Sequence, residues 1–173
     1  MSLIASIRKT IAKVYGGEHL IRYLRRKGMK IGERCRIFCD ISTSESYLIE
    51  IGDDTTISGN VTFLTHDASI QKVLPNVTDL FGAIKIGSNC FIGYGTIIMY
   101  GVSIPDNTII AAGSVVTSSI DNCGKIIGGN PARIIGDVDT YAEKYNANAV
   151  SIRGLSNEEK RKMLEKETLL VIK

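Results

Sequence analysis

The sequence predicts a mainly β fold, a parallel β-helix built from hexapeptide repeats, with N-terminal helices before it and a C-terminal helix after it. Three observations predict this. An aliphatic residue returns every sixth position through most of residues 31–121, a period that belongs to neither an α-helix nor a simple strand. Glycine is frequent, at 17 of 173 residues, and supplies tight corners. Aromatic residues make up only 6% and Trp is absent, so stacked Ile and Val must fill the interior. The chain divides into a helical cap over 1–30, the repeat solenoid over 31–136 with an inserted loop at 69–83, and a C-terminal segment and helix over 137–173.

Residues 2–14 place Leu3, Ile7, Ile11 and Val14 at helical spacing. Gly16 and Gly17 interrupt, and "EHLIRYLRRK" (18–27) reads as a second short helix ended by Gly28. His19 lies on this polar helix and reads as a surface residue without a role. The six-residue beat then runs through "IGERCR" and "IFCDIS", pauses at "TSESYLIE", and continues as "IGDDTT", "ISGNVT" and "FLTHDA". It breaks at 69–83 and resumes at 86 as "IGSNCF", "IGYGTI", "IMYGVS", "IPDNTI", "IAAGSV" and "VTSSID". Each block is one short strand plus a corner: the leading side chain points inward, and the Gly or turn-prone residue beside it lets the backbone bend. Three blocks close one coil, and coils stack at strand spacing, ~4.8 Å. The solenoid ends need caps, which the N-terminal helices can supply at one end. Residues 136–154 read as an irregular connection. Ser156-x-x-Glu159 is a capping-box pattern opening the last helix.

Charge is uneven. Residues 1–30 carry eight Lys or Arg against one Glu, and the remainder is net acidic. The basic segment reads either as a solvated helix face or as a peripheral contact with an anionic leaflet bearing lipid-linked glycan. No apolar run reaches the length of a membrane span, and no signal peptide is evident. Cys35, Cys39, Cys90 and Cys123 match no zinc spacing. Cys35 and Cys90 occupy the same place in the repeat, so the cysteines read as reduced structural thiols in a cytoplasmic protein.

The stretch "IGDDTTISGNVTFLTHD", the loop after it, "IGSNCFIGYGTIIMYGVSIPDNTIIAAGSVVTSSI" and "IIGGNPARII" resemble the hexapeptide-repeat acetyltransferases, in the galactoside, maltose and capsular-sugar O-acetyltransferase subgroup. The resemblance covers residues 31–136. It implies a left-handed β-helix, a homotrimer with active sites between neighbouring prisms, acetyl-CoA as co-substrate, and no requirement for metal. It also implies that the loop reaches from one prism edge towards a neighbour.

The chemistry follows from residue types. A sugar hydroxyl is a weak nucleophile and needs a base. A neutral His can take its proton as the oxygen attacks the acetyl carbonyl, then protonate the departing CoA thiolate. His66 is the one His within the repeats and is the candidate general base. The resemblance aligns Tyr94, Ala112, Gly113, Thr117 and Ser118 with the cofactor groove. Small Ala112 and Gly113 would let the pantetheine amides reach the backbone. Relatives often carry Lys where this chain has Ser118 and a second basic residue near Gly136, which leaves Arg133 as the cation for the CoA phosphates. On the acceptor side the resemblance points to Asp40, and Asn60 and Asp67 are candidate neighbours of His66. Asp67 either holds the imidazole tautomer or forms the turn that opens the loop.

The acceptor read from these features is a sugar or glycan hydroxyl, with amino-sugar N-acetylation or serine acetylation as the enzymatic alternatives and a structural β-helix scaffold as the non-enzymatic one. A zinc carbonic anhydrase on the same solenoid would need three His ligands per metal, more than one solenoid His per chain supplies. Nothing in the sequence points to nucleic acid.

Overall fold

Side chains six residues apart can share one interior only if the chain turns a corner after each short strand. The computed structural model, which describes residues 17–165, has this form. Its solenoid strands fall into three sheets that the chain visits in rotation, and the insert adds a two-stranded fourth. The first holds β1 (Lys30–Ile31), β3 (Ile49–Ile51), β8 (Ile84–Ile86) and β11 (Ser103–Ile104). The second holds β2 (Arg36–Ile37), β4 (Thr56–Ile57), β9 (Phe91–Ile92), β12 (Ile109–Ile110) and β14 (Lys125–Gly129). The third holds β5 (Thr62–Phe63), β10 (Ile97–Ile98) and β13 (Val115–Val116). All pairings among these strands are parallel. Phe91 lies beside Ile109 and Ile97 beside Val115, so one full coil takes eighteen residues. Across the insert the step is thirty-five, as Thr62 pairs with Ile97. Between the first two coils it is twenty, and the spacer absorbs the excess in a 3-10 turn at Ser46–Leu48.

Every block-leading residue from Ile31 to Val116 is buried. Each such burial is worth roughly 1.5–3 kcal/mol against an exposed side chain. A second interior column comes from the fifth residue of each block. At one corner Cys35, Thr55, Cys90 and Thr108 succeed one another, all buried. A buried hydroxyl must find a partner, and here each bonds a backbone carbonyl: Thr55 to Gly87 at 2.8 Å, Thr108 to Pro105 at 2.8 Å. The thiols of Cys35 and Cys90 approach the Gly52 and Pro105 carbonyls in the same way, at 3.0 and 3.2 Å. Burial pushes these thiols up, and pushes Cys39 up to about 11, so they stay protonated. Cys123 departs from the expectation of structural thiols, because it is exposed.

The glycines that follow the leading residues have a different role from the bend expected of them. A Cβ on Gly93 would lie 2.5 Å from the Ala112 nitrogen, and one on Gly87 would lie 2.6 Å from the Asp106 nitrogen. They are glycine because the next coil passes too close. The corner itself is turned two residues later, by left-handed residues such as Asn89 (φ 53°) and Asn107 (φ 57°). Asn tolerates that conformation through local hydrogen bonding.

Helix α1 (Gly17–Arg26) closes the first end, burying Leu20, Ile21 and Leu24. In later coils the carbonyls of Ile51, Ile86 and Ile104 each accept from a glycine N–H of the coil before. Ile31 has no coil before it. Arg25 takes that place, donating Nε to the Ile31 carbonyl at 3.0 Å and Nη2 to the Gly32 carbonyl at 2.7 Å. The helix expected at 2–14 lies outside the described residues. At the other end, β15 (Ala132–Asp137) runs back antiparallel along β14. The connection expected to be irregular over 136–154 instead contains helix α2 (Val138–Tyr145) and a 3-10 turn at Asn146–Asn148. Helix α3 (Asn157–Leu164) opens with its capping box formed: the Glu159 N–H donates to Ser156 Oγ at 3.3 Å, and the Ser156 N–H donates to the Glu159 carboxylate at 2.8 Å.

Replacing Gly87 by Ala should destabilise the fold by about 1–3 kcal/mol, because its methyl would meet fixed backbone. Gly101, at φ 76° with open space around it, should accept Asn at little cost. Thermal unfolding of the two variants checks the contrast, and equal losses would contradict the close-approach account.

Candidate active site

The insert begins where the third sheet ends. β6 (His66–Asp67) pairs antiparallel with β7 (Leu80–Phe81), so the expected loop at 69–83 is a hairpin whose first strand carries His66. A 3-10 turn over Ala68–Lys72 follows directly. The Asp67 carboxylate caps that turn, accepting from the Ser69 N–H at 2.8 Å, and it accepts more weakly from the Tyr100 hydroxyl at 3.4 Å. Of the two roles read for Asp67, turn formation is the one its contacts serve.

The carboxylate on the imidazole is Glu45. Its Oε2 lies 3.0 Å from His66 Nδ1 and also accepts from the hydroxyls of Thr65 at 2.8 Å and Thr43 at 3.2 Å. Those hydroxyls are 2.6 Å apart, and Thr65 is buried. The Thr65 hydrogen bond, with further help from His66 and Thr43, holds the Glu45 carboxyl below its ordinary range despite partial desolvation. The stabilisation from this network is therefore present at neutral pH and is lost only as the pH falls through that lowered value. An ionised carboxylate can only accept, so neutral His66 carries its proton on Nδ1 and presents a lone pair at Nε2. The ring sits 5.8 Å from that of Phe81. Its side chain is 45% exposed, and it opens onto a cleft of about 340 Å³ whose walls include Lys27, Ser42, Ser44 and Leu64. That volume falls within the range of small-molecule sites.

Glu45 escaped sequence reading because it lies in the spacer 43–50, where the repeat fails and no pattern assigns a direction to side chains. The failure of the period was itself the available signal: the repeat pauses once at the spacer and once at the hairpin, and the two pauses meet at His66.

The remaining sequence-derived residues fall on two edges of the third sheet. Asn60 precedes β5, Tyr94 precedes β10, and Ala112 and Gly113 precede β13, which puts them on the leading edge. The Asn60 amide donates to the Tyr94 hydroxyl, and the ring covers Gly59, where a Cβ would meet it at 3.0 Å. Ala112 and Gly113 are exposed, and half-buried Asp40 holds the corresponding place in block 37–42. His66 and Asp67 follow β5, and Thr117 and Ser118 follow β13, on the trailing edge. Ser118 and Arg133 share a separate cleft of about 350 Å³ at the β14–β15 end of the solenoid, with Asp121 and Asn122. The Arg133 guanidinium bonds the Ala132 carbonyl at 2.8 Å. One chain thus brings His66 together with Glu45, Asn60 with Tyr94, and Ser118 with Arg133, but it holds the first two groups on opposite edges.

The outer surfaces of the sheets differ. The first carries Lys30, Glu50 and Lys85, with Lys30 and Glu50 3.6 Å apart. The second and third carry exposed Phe38, Leu64 and Phe91 and half-buried Ile97, Met99 and Val115. The hairpin exposes the apolar side chains of Val73, Leu74, Val77, Leu80 and Phe81.

Residues 83–118 match the family model described as hexapeptide repeat of succinyl-transferase. The chain is 43% identical over 145 residues to Protein CapG of Staphylococcus aureus, an alignment spanning 80% of this chain and 83% of the relative. It is 28% identical to the galactoside O-acetyltransferase of Escherichia coli (strain K12), over 83% of this chain and 71% of that one. Among solved structures, a galactoside acetyltransferase in complex with coenzyme A superimposes with a TM-score of 0.58 over 82% of each chain at 21% identity, a likeness of fold. The chain belongs to the hexapeptide-repeat acetyltransferase family, a family of acetyl-CoA-dependent enzymes. Among the described residues, no helix is long and apolar enough to cross a membrane.

The His66–Glu45 contact makes a direct spectroscopic prediction. In nitrogen-resolved imidazole spectra above neutral pH, His66 should populate the Nδ1–H tautomer, and Glu45→Ala should return it to a mixture of the two forms. A wild-type ring protonated on Nε2 would contradict the assignment.

Proposed function

We propose that this protein transfers the acetyl group of acetyl-CoA to a hydroxyl of a sugar or polysaccharide precursor, with His66 as general base. The observation that carries the reading is the bond between His66 Nδ1 and the Glu45 carboxylate, which leaves the lone pair on Nε2 of a ring that lines an open cleft. In the reaction Nε2 takes the hydroxyl proton as the acceptor oxygen attacks the thioester carbonyl. The tetrahedral intermediate then collapses, the C–S bond breaks, and the Nε2–H proton goes to the departing thiolate. Glu45 orients the ring and stabilises the imidazolium between the two steps. A galactoside is the acceptor named for the Escherichia coli relative, and CoA is the ligand named for the solved galactoside acetyltransferase.

The coils wind left-handed, the sense implied by the resemblance, and three copies assemble so that the trailing edge of one prism faces the leading edge of the next. Two features support this arrangement. The candidate acceptor and cofactor residues sit on both edges of one sheet, where one chain cannot close a site around them. The outer surfaces of the second and third sheets carry exposed Phe38, Leu64 and Phe91 beside polar Arg36 and Thr62, the mixed surface that oligomer contacts use. Acetyl-CoA then runs along the groove between prisms. Ala112 and Gly113 admit its pantetheine arm, Tyr94, Thr117 and Ser118 flank it, and Arg133 meets its phosphates. Asp40 and Asn60 approach the acceptor from the neighbouring prism.

His66→Ala should lower turnover at least ~100-fold while acetyl-CoA affinity changes little. Ala112→Phe should abolish acetyl-CoA binding without unfolding the protein. Mixing the two variants during refolding should restore activity at about a quarter of the sites, the share with one good edge from each parent under random assortment into cyclic trimers. Complete failure of complementation between folded, co-assembled variants would rule out a shared site. An acetylated product that survives mild base would be an amide and would move the activity to amino-sugars.

A further inference from the structure

The cleft at His66 contains a cation that the acetyl-transfer chemistry does not use. Lys27 follows α1, and its backbone N–H is fixed by the carbonyls of Tyr23 at 3.2 Å and Leu24 at 2.9 Å. Leu24 is buried, so the side chain starts from an anchored point. It lines the same cleft as His66. The other cations with partners at this end are engaged: Arg25 with two carbonyls and Glu33 at 3.0 Å, Lys30 with Glu50 at 3.6 Å, and Arg34 with Asp54 at 2.6 Å. No carboxylate lies within ion-pair distance of the Lys27 ammonium among the described residues. No carboxylate lines the cleft, and Glu45 behind the imidazole is committed to Thr65, Thr43 and His66. The basic last turn of α1 already holds Arg25 and Arg26, so the helix dipole does not require Lys27. The same cleft is lined by Ser44 and Leu64. A cleft lined by both a cation and an imidazole suits a sugar that carries a charged group and a reacting hydroxyl.

We infer that the acceptor is an anionic sugar, whose carboxylate or phosphoryl group is bound by Lys27 while one of its hydroxyls meets His66. The inference rests on the acetyl-transfer reading and narrows it. Lys presents a compact point charge with three donors, so either anion satisfies it. Glu45 adds the constraint that the anion lies on the Lys27 side, away from the imidazole. Lys27 here is a binding residue acting through KM.

The test measures kcat/KM by thiol release with acetyl-CoA and three acceptors: galactose, galacturonic acid and galactose 1-phosphate. One of the two anionic sugars should exceed galactose about tenfold, the usual worth of a hydrogen bond to a charged group. Which one does so separates a ring carboxylate from an anomeric phosphate. Lys27→Met should bring that ratio close to one, mainly through KM, and Lys27→Arg should preserve most of it. Raised salt should compress the ratio in the same direction. Galactose used as well as both anionic sugars would overturn the inference and leave sugar acetylation standing, as would a ratio that survives Lys27→Met. Calorimetry of galacturonic acid and galactose 1-phosphate binding to His66→Ala covers the case in which none of the three is acetylated. Binding lost on adding Lys27→Met would then uphold the anion site and reject the transfer reading, whereas no binding would reject both.

Discussion

Everything in this molecule is set by the distance between successive coils. Parallel strands hydrogen-bond at about 4.8 Å, and a solenoid of three short sheets must keep that spacing at its corners as well as along its faces. The spacing excludes a side chain wherever one coil crosses another closely, which is why Gly87 and Gly93 are glycine. At the corner after the first sheet it limits the fifth position of the block to side chains as small as Cys and Thr. A Thr in that column places its hydroxyl against a carbonyl of its own corner or of the next coil, so its polarity costs little. The Cys residues there behave as Thr analogues and not as redox groups. Stability comes from the repetition: each coil satisfies its neighbour's backbone, and only the two ends need special treatment, by Arg25 at one and by the returning strand β15 at the other.

A rigid repeat leaves little room for chemistry, because its side chains are either packed inside or spread over flat faces. Departures from the repeat supply the exceptions. The spacer 43–50 adds two residues to a coil and turns Glu45 towards the third sheet. The hairpin after His66 adds seventeen and holds that residue in a short ladder opposite Phe81. The imidazole is thus clamped between two irregular segments mounted on one regular scaffold. Buried Thr65 ties both to the core.

The same regularity keeps the candidate site residues of one chain on two separate edges. Residues that precede a strand of the third sheet stay on its leading edge in every coil, and residues that follow it stay on its trailing edge. No local rearrangement can move Tyr94 to the side of His66 without unwinding a coil. The outer faces of the second and third sheets carry more apolar residues than the charged first sheet, although Arg36 and Thr62 also stand on them.

Much of this was legible from residue order alone. The six-residue beat defined the coil, the buried leading residues, the corner positions and the point of insertion, because in a solenoid each coil contacts only its neighbours and sequence separation maps directly onto space. His66 stood out as the one histidine inside the repeat, and the helix-opening Ser156–Glu159 pair was legible because capping is a local interaction. What depended on the folded chain was everything that crosses a break in the period. Glu45 reaches His66 over twenty-one residues of irregular spacing, Lys27 reaches the same cleft from a capping helix, and Asp67 turns to its own loop instead of the ring. The role of the second-position glycines belongs here as well, since coil-to-coil approach is absent from any single block. A periodic pattern specifies where side chains repeat, whereas contacts between aperiodic segments are set by packing against the finished scaffold, and no local rule encodes them.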